Sequence, residues 1–132
     1  MSFLASLSLR QILALDAISS GGMGLLLIAG AGILESWLGI PAGFQRAAGA
    51  ILIPFAAFVA WLATRPAPPR ALVWTAVAIN AVWVVESLVT LMSAWLSPTA
   101  LGMAFVIGQA VVVALLAELQ VYALRRDRRV AA

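Results

Sequence analysis

The 132-residue chain is 64% hydrophobic and 10% charged, carries a net charge of +3, and contains no cysteine and no histidine. Soluble domains are about a quarter charged, so an ordinary water-soluble globule is excluded. Also excluded are disulfides, thiol chemistry, and imidazole as a metal ligand, haem ligand or general base. All eight basic residues are arginines, and seven of them gather at Arg10, at Arg65 and Arg70, and at Arg125, Arg126, Arg128 and Arg129. Beside apolar stretches such residues set topology and meet anionic headgroups, which argues against nucleic acid as a partner and for the lipid bilayer.

Arg10 and Arg65 are 55 positions apart, as are Arg70 and Arg125. A ~30 Å hydrocarbon core takes ~20 helical residues at ~1.5 Å each, so each interval fits one helix, a turn and a returning helix. The first span is predicted over 9–34. Its basic-then-apolar opening resembles a secretory signal, but the run exceeds the ~7–15 residues of a signal's apolar region and carries Asp16, so it is expected to remain uncleaved. A short apolar loop around Leu38-Gly39-Ile40-Pro41 leads into the second span, 43–64, where Pro54 is expected to bend the helix and free the Ala50 carbonyl. The prolines of RPAPPR end that helix. The third span is predicted over 71–96. Ser97-Pro98 reads as an N-cap with proline at the first helical position, opening a fourth span over 99–124 ahead of a basic tail, 125–132. The expectation is an all-α, integral membrane, antiparallel four-helix bundle of two hairpins, one domain spanning 1–132.

Arginine placement predicts orientation. The N-terminus, middle loop and tail hold seven arginines and the other side only Arg46, so both termini are expected in the cytoplasm of a bacterium, at its inner membrane. Trp61, Trp74 and Tyr122 near the arginine-rich side, with Trp37 and Trp95 near the other, form the expected aromatic belts. Ser20, Gly24, Gly43, Ala47, Ala110, Ala114 and Ala117 lie at helical spacings that allow close helix packing, either within the bundle or, through Gly21-Gly22-Met23-Gly24, between copies. The 60-residue offset between the hairpins is compatible with a tandem duplication.

The polar residues of the spans are the candidate site. Counted from the arginine-rich end at ~1.5 Å per residue, Asp16 and Glu118 lie ~9–10 Å deep, Asn80 with Ser19 and Ser20 ~14–15 Å, Glu86 and Gln109 ~24 Å, and Arg46 ~28 Å. Asn80, Trp83 and Glu86 are spaced by three and share a broad helix face. Charged groups inside a bilayer are costly, by roughly 2.5–3.5 kcal/mol or more, so they are paired or functional. Asp16 and Glu118 are shallow enough to pair near the interface, Glu118 with Arg125. Glu86, Arg46 and Gln109 are expected to form a knot between three helices. Alternatively, Glu86, Asn80 and Asp16 line a path for a proton or small cation. These carboxylates sit at several depths and form no catalytic grouping; no metal or cofactor is implied.

Four spans in a chain of this length invite comparison with small multidrug resistance transporters and dual-topology fluoride channels, but neither matches. Asp16 stands here in LALDAISSGG, where the transporters have a membrane-embedded glutamate. The channels' pattern of asparagine and paired phenylalanines is not found. The stretch from Gly30 to Trp61, with LGIP and then Arg46-Ala-Ala-Gly49 opening an apolar helix, resembles the second-span entry of the DoxX-like four-helix bacterial inner-membrane proteins. It covers about a quarter of the chain. The resemblance implies an accessory to a redox or respiratory system and transfers no catalytic residue. The leading expectation is a non-enzymatic accessory or structural membrane subunit, as a homo-oligomer or within a larger complex. The alternative is a small oligomeric proton- or cation-coupled transporter.

Overall fold

A computed structural model describes residues 2–93 and 96–131, which form helices α1 (Ser2–Ala5), α2 (Leu9–Ala29), α3 (Ala31–Leu38), α4 (Ala42–Thr64), α5 (Arg70–Met92) and α6 (Ala100–Ala131). Four of these, α2, α4, α5 and most of α6, are long and apolar enough to cross a membrane. They mark the chain as a multi-pass membrane protein.

Local chemistry sets most helix ends. Ser8 caps α2 through a complete capping box: its hydroxyl accepts from the Gln11 N–H at 3.1 Å, and the Gln11 side chain accepts from the Ser8 N–H at 2.9 Å. The predicted first span, 9–34, is divided. The chain breaks at Gly30, where helix propensity is poorest short of proline, and restarts as α3. This turn buries Ala31 and Leu38. α3 ends on Gly39, whose left-handed φ of 69° suits glycine alone among common residues and returns an N–H to the Glu35 carbonyl. The third span stops at Met92 rather than 96, and Ala94 and Trp95, with the latter's proposed place in the aromatic belt, lie outside the described residues.

The predicted Ser97-Pro98 cap is also displaced. Thr99 caps α6, accepting from the Gly102 N–H at 3.0 Å, while its own N–H and hydroxyl bind the Leu38 and Trp37 carbonyls at 2.9 and 2.7 Å. A tertiary tie to α3 therefore fixes where α6 starts. Helix α4 runs through Pro54 without a break. The backbone of the basic tail is not an extension of loop but a continuation of α6 to Ala131.

Helix α2 packs chiefly on α4, and α5 chiefly on α6, giving two antiparallel hairpins joined mainly by α2 against α6. Gly24 and Gly49 let the first pair approach closely: a Cβ on Gly49 would come within 2.7 Å of the Gly24 carbonyl oxygen. Both hairpins are closed at the arginine-rich end by an arginine on a backbone carbonyl. The Arg10 guanidinium donates to the Ala63 carbonyl at the end of α4, and Arg70 to the Leu124 carbonyl of α6, at 3.1 and 2.9 Å. At Ala63, in the last turn of α4, the positive charge meets the negative end of the helix dipole; Leu124 lies inside α6, where Arg70 adds only a local bond. Arg65 and Arg126 lie over the rings of Trp61 and Tyr122.

The apolar core is lopsided. Its main cluster, including Ile12, Leu13, Val59, Leu62, Val73, Leu119 and Leu124, lies in the arginine-rich half, with only scattered buried residues such as Leu27, Leu38 and Ala110 in the other. Helices α4 and α5 barely meet. In the half where α4 begins and α5 ends, they leave an open cleft.

Candidate functional site

Two polar groupings lie between the hairpins. In the arginine-rich half, Asp16 is buried, 1% exposed, and receives three side-chain hydrogen bonds. Ser20, one turn along α2, donates its hydroxyl to Asp16 Oδ1 at 3.1 Å. Asn80 of α5 and Gln120 of α6 each donate an amide N–H to Oδ2, at 2.8 and 2.7 Å. A longer contact, 3.4 Å, joins the Asn80 amide to Gln120 Oε1. The carboxyl group thus links α2, α5 and α6 through buried side-chain bonds between the two hairpins. Every partner is neutral, and no arginine reaches the group among the described residues. The expected interface-level pairing of Asp16 is therefore replaced by a buried neutral-donor cluster. The physical reason is rotation: the helix face carrying Asp16 also carries Ile12, Leu13 and Ser20, all turned inward.

In the opposite half, Gln109 organises the second grouping. Its Oε1 accepts from the Trp83 indole N–H at 2.7 Å. Its amide nitrogen donates to Ser87 Oγ at 3.0 Å and to the Val106 carbonyl at 2.8 Å. Ser87 in turn donates to the Trp83 carbonyl at 2.8 Å. This ties α5 to α6 and accounts for Trp83, the tryptophan that the interfacial belts leave unexplained.

The expected knot of Glu86, Arg46 and Gln109 does not form. Glu86 and Arg46 are both exposed, and no ion pair joins them among the described residues. Glu86 lies six residues before the end of α5, ~9 Å from that helix end, because α5 stops at Met92 rather than 96. Glu118 is likewise exposed and makes no described pair with Arg125. Of the residues proposed to line one path, Asp16 and Asn80 come together, whereas Glu86 stands apart on a cavity wall.

That cavity, about 220 Å³, opens between α4 and α5 and is lined by Phe44, Gln45, Ile51, Trp83, Glu86, Ser87, Phe105 and Gln109 among others. A second cavity of about 260 Å³ shares Met23, Trp83, Phe105 and Gln109 with it and reaches Ser19 and Ser20. Ser20 touches Asp16, so the two cavities and the cluster follow one another along the bundle.

Two participants went unnamed in the sequence reading. Gln120 lies five residues from Arg125, hence ~7.5 Å deep, level with Asp16; the depth count could have found it. Gln45 carries no such signal: it is 2% exposed, and its amide donates to the Ile40 carbonyl in the turn between α3 and α4, an arrangement that depth along a helix does not reveal. No group of three or more potential metal ligands occurs among the described residues. The chain matches no protein-family model, no characterised protein and no solved structure.

Proposed function

We propose that the chain is a non-catalytic accessory protein of a bacterial inner membrane, with both termini cytoplasmic. The observation that carries this reading is the Asp16 cluster. Asp16, the most deeply buried ionisable side chain among the described residues, is engaged by Ser20, Asn80 and Gln120 and fastens one hairpin to the other, which is a structural task rather than an exchange site. A group that must bind and release protons or ions needs a competent route to water, and a densely packed apolar core surrounds this one on the arginine-rich side. The resemblance of the LGIP and Arg46-Ala-Ala-Gly49 stretch to DoxX-like proteins supports the same role, and the arginine distribution supports the orientation.

The test is purification from native membranes in mild detergent, with the associated proteins identified. Recovery within a larger complex is expected. The reading fails if the chain is isolated alone and drives proton or cation flux in proteoliposomes above that of empty vesicles.

One observation favours the second reading, a small transporter. The adjoining cavities extend from Glu86 to Ser19 and Ser20, beside Asp16. Flux that is abolished by Glu86→Gln and by Asp16→Asn would establish it.

A further inference from the structure

On the α5 and α6 wall of the outer cavity most donors are already committed: the Trp83 N–H to Gln109, both amide hydrogens of Gln109 to Ser87 and Val106, and the Ser87 hydroxyl to the Trp83 carbonyl, which leaves the Thr90 hydroxyl. Acceptors remain. Gln45 is buried, and its Oε1 has no partner. Its orientation is not arbitrary, because only the amide nitrogen can donate to the Ile40 carbonyl, which it does at 2.8 Å, leaving the oxygen as the free end. A buried acceptor without a partner is destabilising, so this oxygen calls for one.

Glu86 lines the same cavity, is the only charged residue to do so, and has no cationic partner among the described residues. Arg46 follows Gln45 in sequence but is not on the wall. Gln45 lies three residues into α4 and Glu86 six residues from the end of α5, so both stand within two turns of the same end of the bundle. Apart from Ser87, Thr90 and Gln109, the rest of the lining is apolar and aromatic, with Phe44, Phe105 and Trp83 prominent. Phe44, Ile51 and Glu86 are also exposed on the outside of the bundle, so the cavity opens sideways between the hairpins.

We propose that this cavity binds an amphipathic primary amine. The ammonium group donates to the Glu86 carboxylate and to Gln45 Oε1, and the apolar body lies against the aromatic wall, with Trp83 available for cation–π contact. An apolar cavity of about 150 Å³ is known to hold benzene, so one of about 220 Å³ admits a ring with a short aminoalkyl chain. Two sources offer this chemistry: a free hydrophobic amine, or the ammonium headgroup of phosphatidylethanolamine entering from the bilayer. The inference holds whether the protein is an accessory subunit or a transporter.

The test uses the full chain in phosphatidylcholine nanodiscs, titrated calorimetrically with 2-phenylethylamine against empty discs. Saturable binding is expected, with 2-phenylethanol and 3-phenylpropionate at least about tenfold weaker, since each lacks the charge-assisted donor. Glu86→Gln is expected to weaken the amine by about tenfold while leaving thermal stability unchanged, because Glu86 holds no other group. Ala48→Phe, which fills the cavity, is expected to abolish binding. Loss of amine binding in discs containing phosphatidylethanolamine would assign the site to the lipid headgroup, and unchanged binding would assign it to a free amine. Non-saturable uptake equal to that of empty discs, indifference to Glu86→Gln, or preference for the carboxylate would each overturn the proposal.

Discussion

Replacing Gln120 by leucine keeps the volume of the side chain and deletes its polarity, which makes it the cleanest probe of the Asp16 cluster. Gln120 is fully buried, donates a 2.7 Å bond to Asp16 Oδ2, and accepts a 3.4 Å contact from Asn80. Side-chain hydrogen bonds between membrane helices average ~0.6 kcal/mol and reach ~1.7 kcal/mol. Bonds to charged groups in water-soluble proteins contribute about 1.5–3 kcal/mol. A short bond to a buried carboxyl oxygen belongs where these ranges meet, and the 3.4 Å contact adds little. Gln120→Leu is therefore expected to cost about 1.5–2 kcal/mol, lowering the folded-to-unfolded ratio by roughly tenfold to thirtyfold. Reversible unfolding in mixed micelles, followed by tryptophan fluorescence, measures it. Asn80→Leu should behave similarly, and because both amides share Oδ2, the double variant should depart from additivity by at least about 0.5 kcal/mol. Changing Asp16, Asn80 and Gln120 together to leucine should recover much of the loss, since an apolar replacement of all partners leaves nothing unsatisfied. A loss below about 0.5 kcal/mol for Gln120→Leu, or strict additivity, would refute the idea that one carboxyl group couples the hairpins.

Other consequences follow from particular contacts. Gly102→Ala would drive a Cβ into the Leu38 carbonyl and is expected to cost about 1–3 kcal/mol in the same unfolding assay, whereas Gly22→Ala, which meets open space, should stabilise the helix by about 0.5–1 kcal/mol. A loss on Gly22→Ala that depends on protein concentration would instead place Gly22 between copies. Accessibility tags at the two chain ends should report the same side of the membrane, and tags on opposite sides would contradict the arginine-based orientation. Arg10→Ala removes the guanidinium from the Ala63 carbonyl in the last turn of α4 and should cost about 0.3–1 kcal/mol, whereas Arg70→Ala, whose Leu124 acceptor lies inside α6, should cost less. An equal or larger loss for Arg70→Ala would refute the helix-dipole account of Arg10.

The amino-acid sequence alone determined that this chain forms apolar helices of membrane-spanning length, because no water is available in a bilayer to satisfy a backbone that is not helical. It also determined the turns at RPAPPR and around Gly39, but not the break at Gly30 or the start of α6, which depends on the tie of Thr99 to α3. Depth along a helix was legible too, since rise per residue is constant, and depth brings Asp16 level with Gln120. Rotation about the axis was not. Whether Asp16 meets an arginine or two amides, and whether Glu86 meets Arg46 or an open cavity, depends on which face each helix turns to its neighbours. In a uniformly apolar segment, hydrophobic periodicity does not specify that face. Tertiary packing decided it: the Gly24–Gly49 approach sets α2 against α4, the Gln109 bonds set α5 against α6, and the Gln45 side chain turns inward to the Ile40 carbonyl. The Asp16 cluster and the acceptor-lined cavity arise from those rotations, which small residues and interior hydrogen bonds control where lipid supplies no hydrophobic contrast.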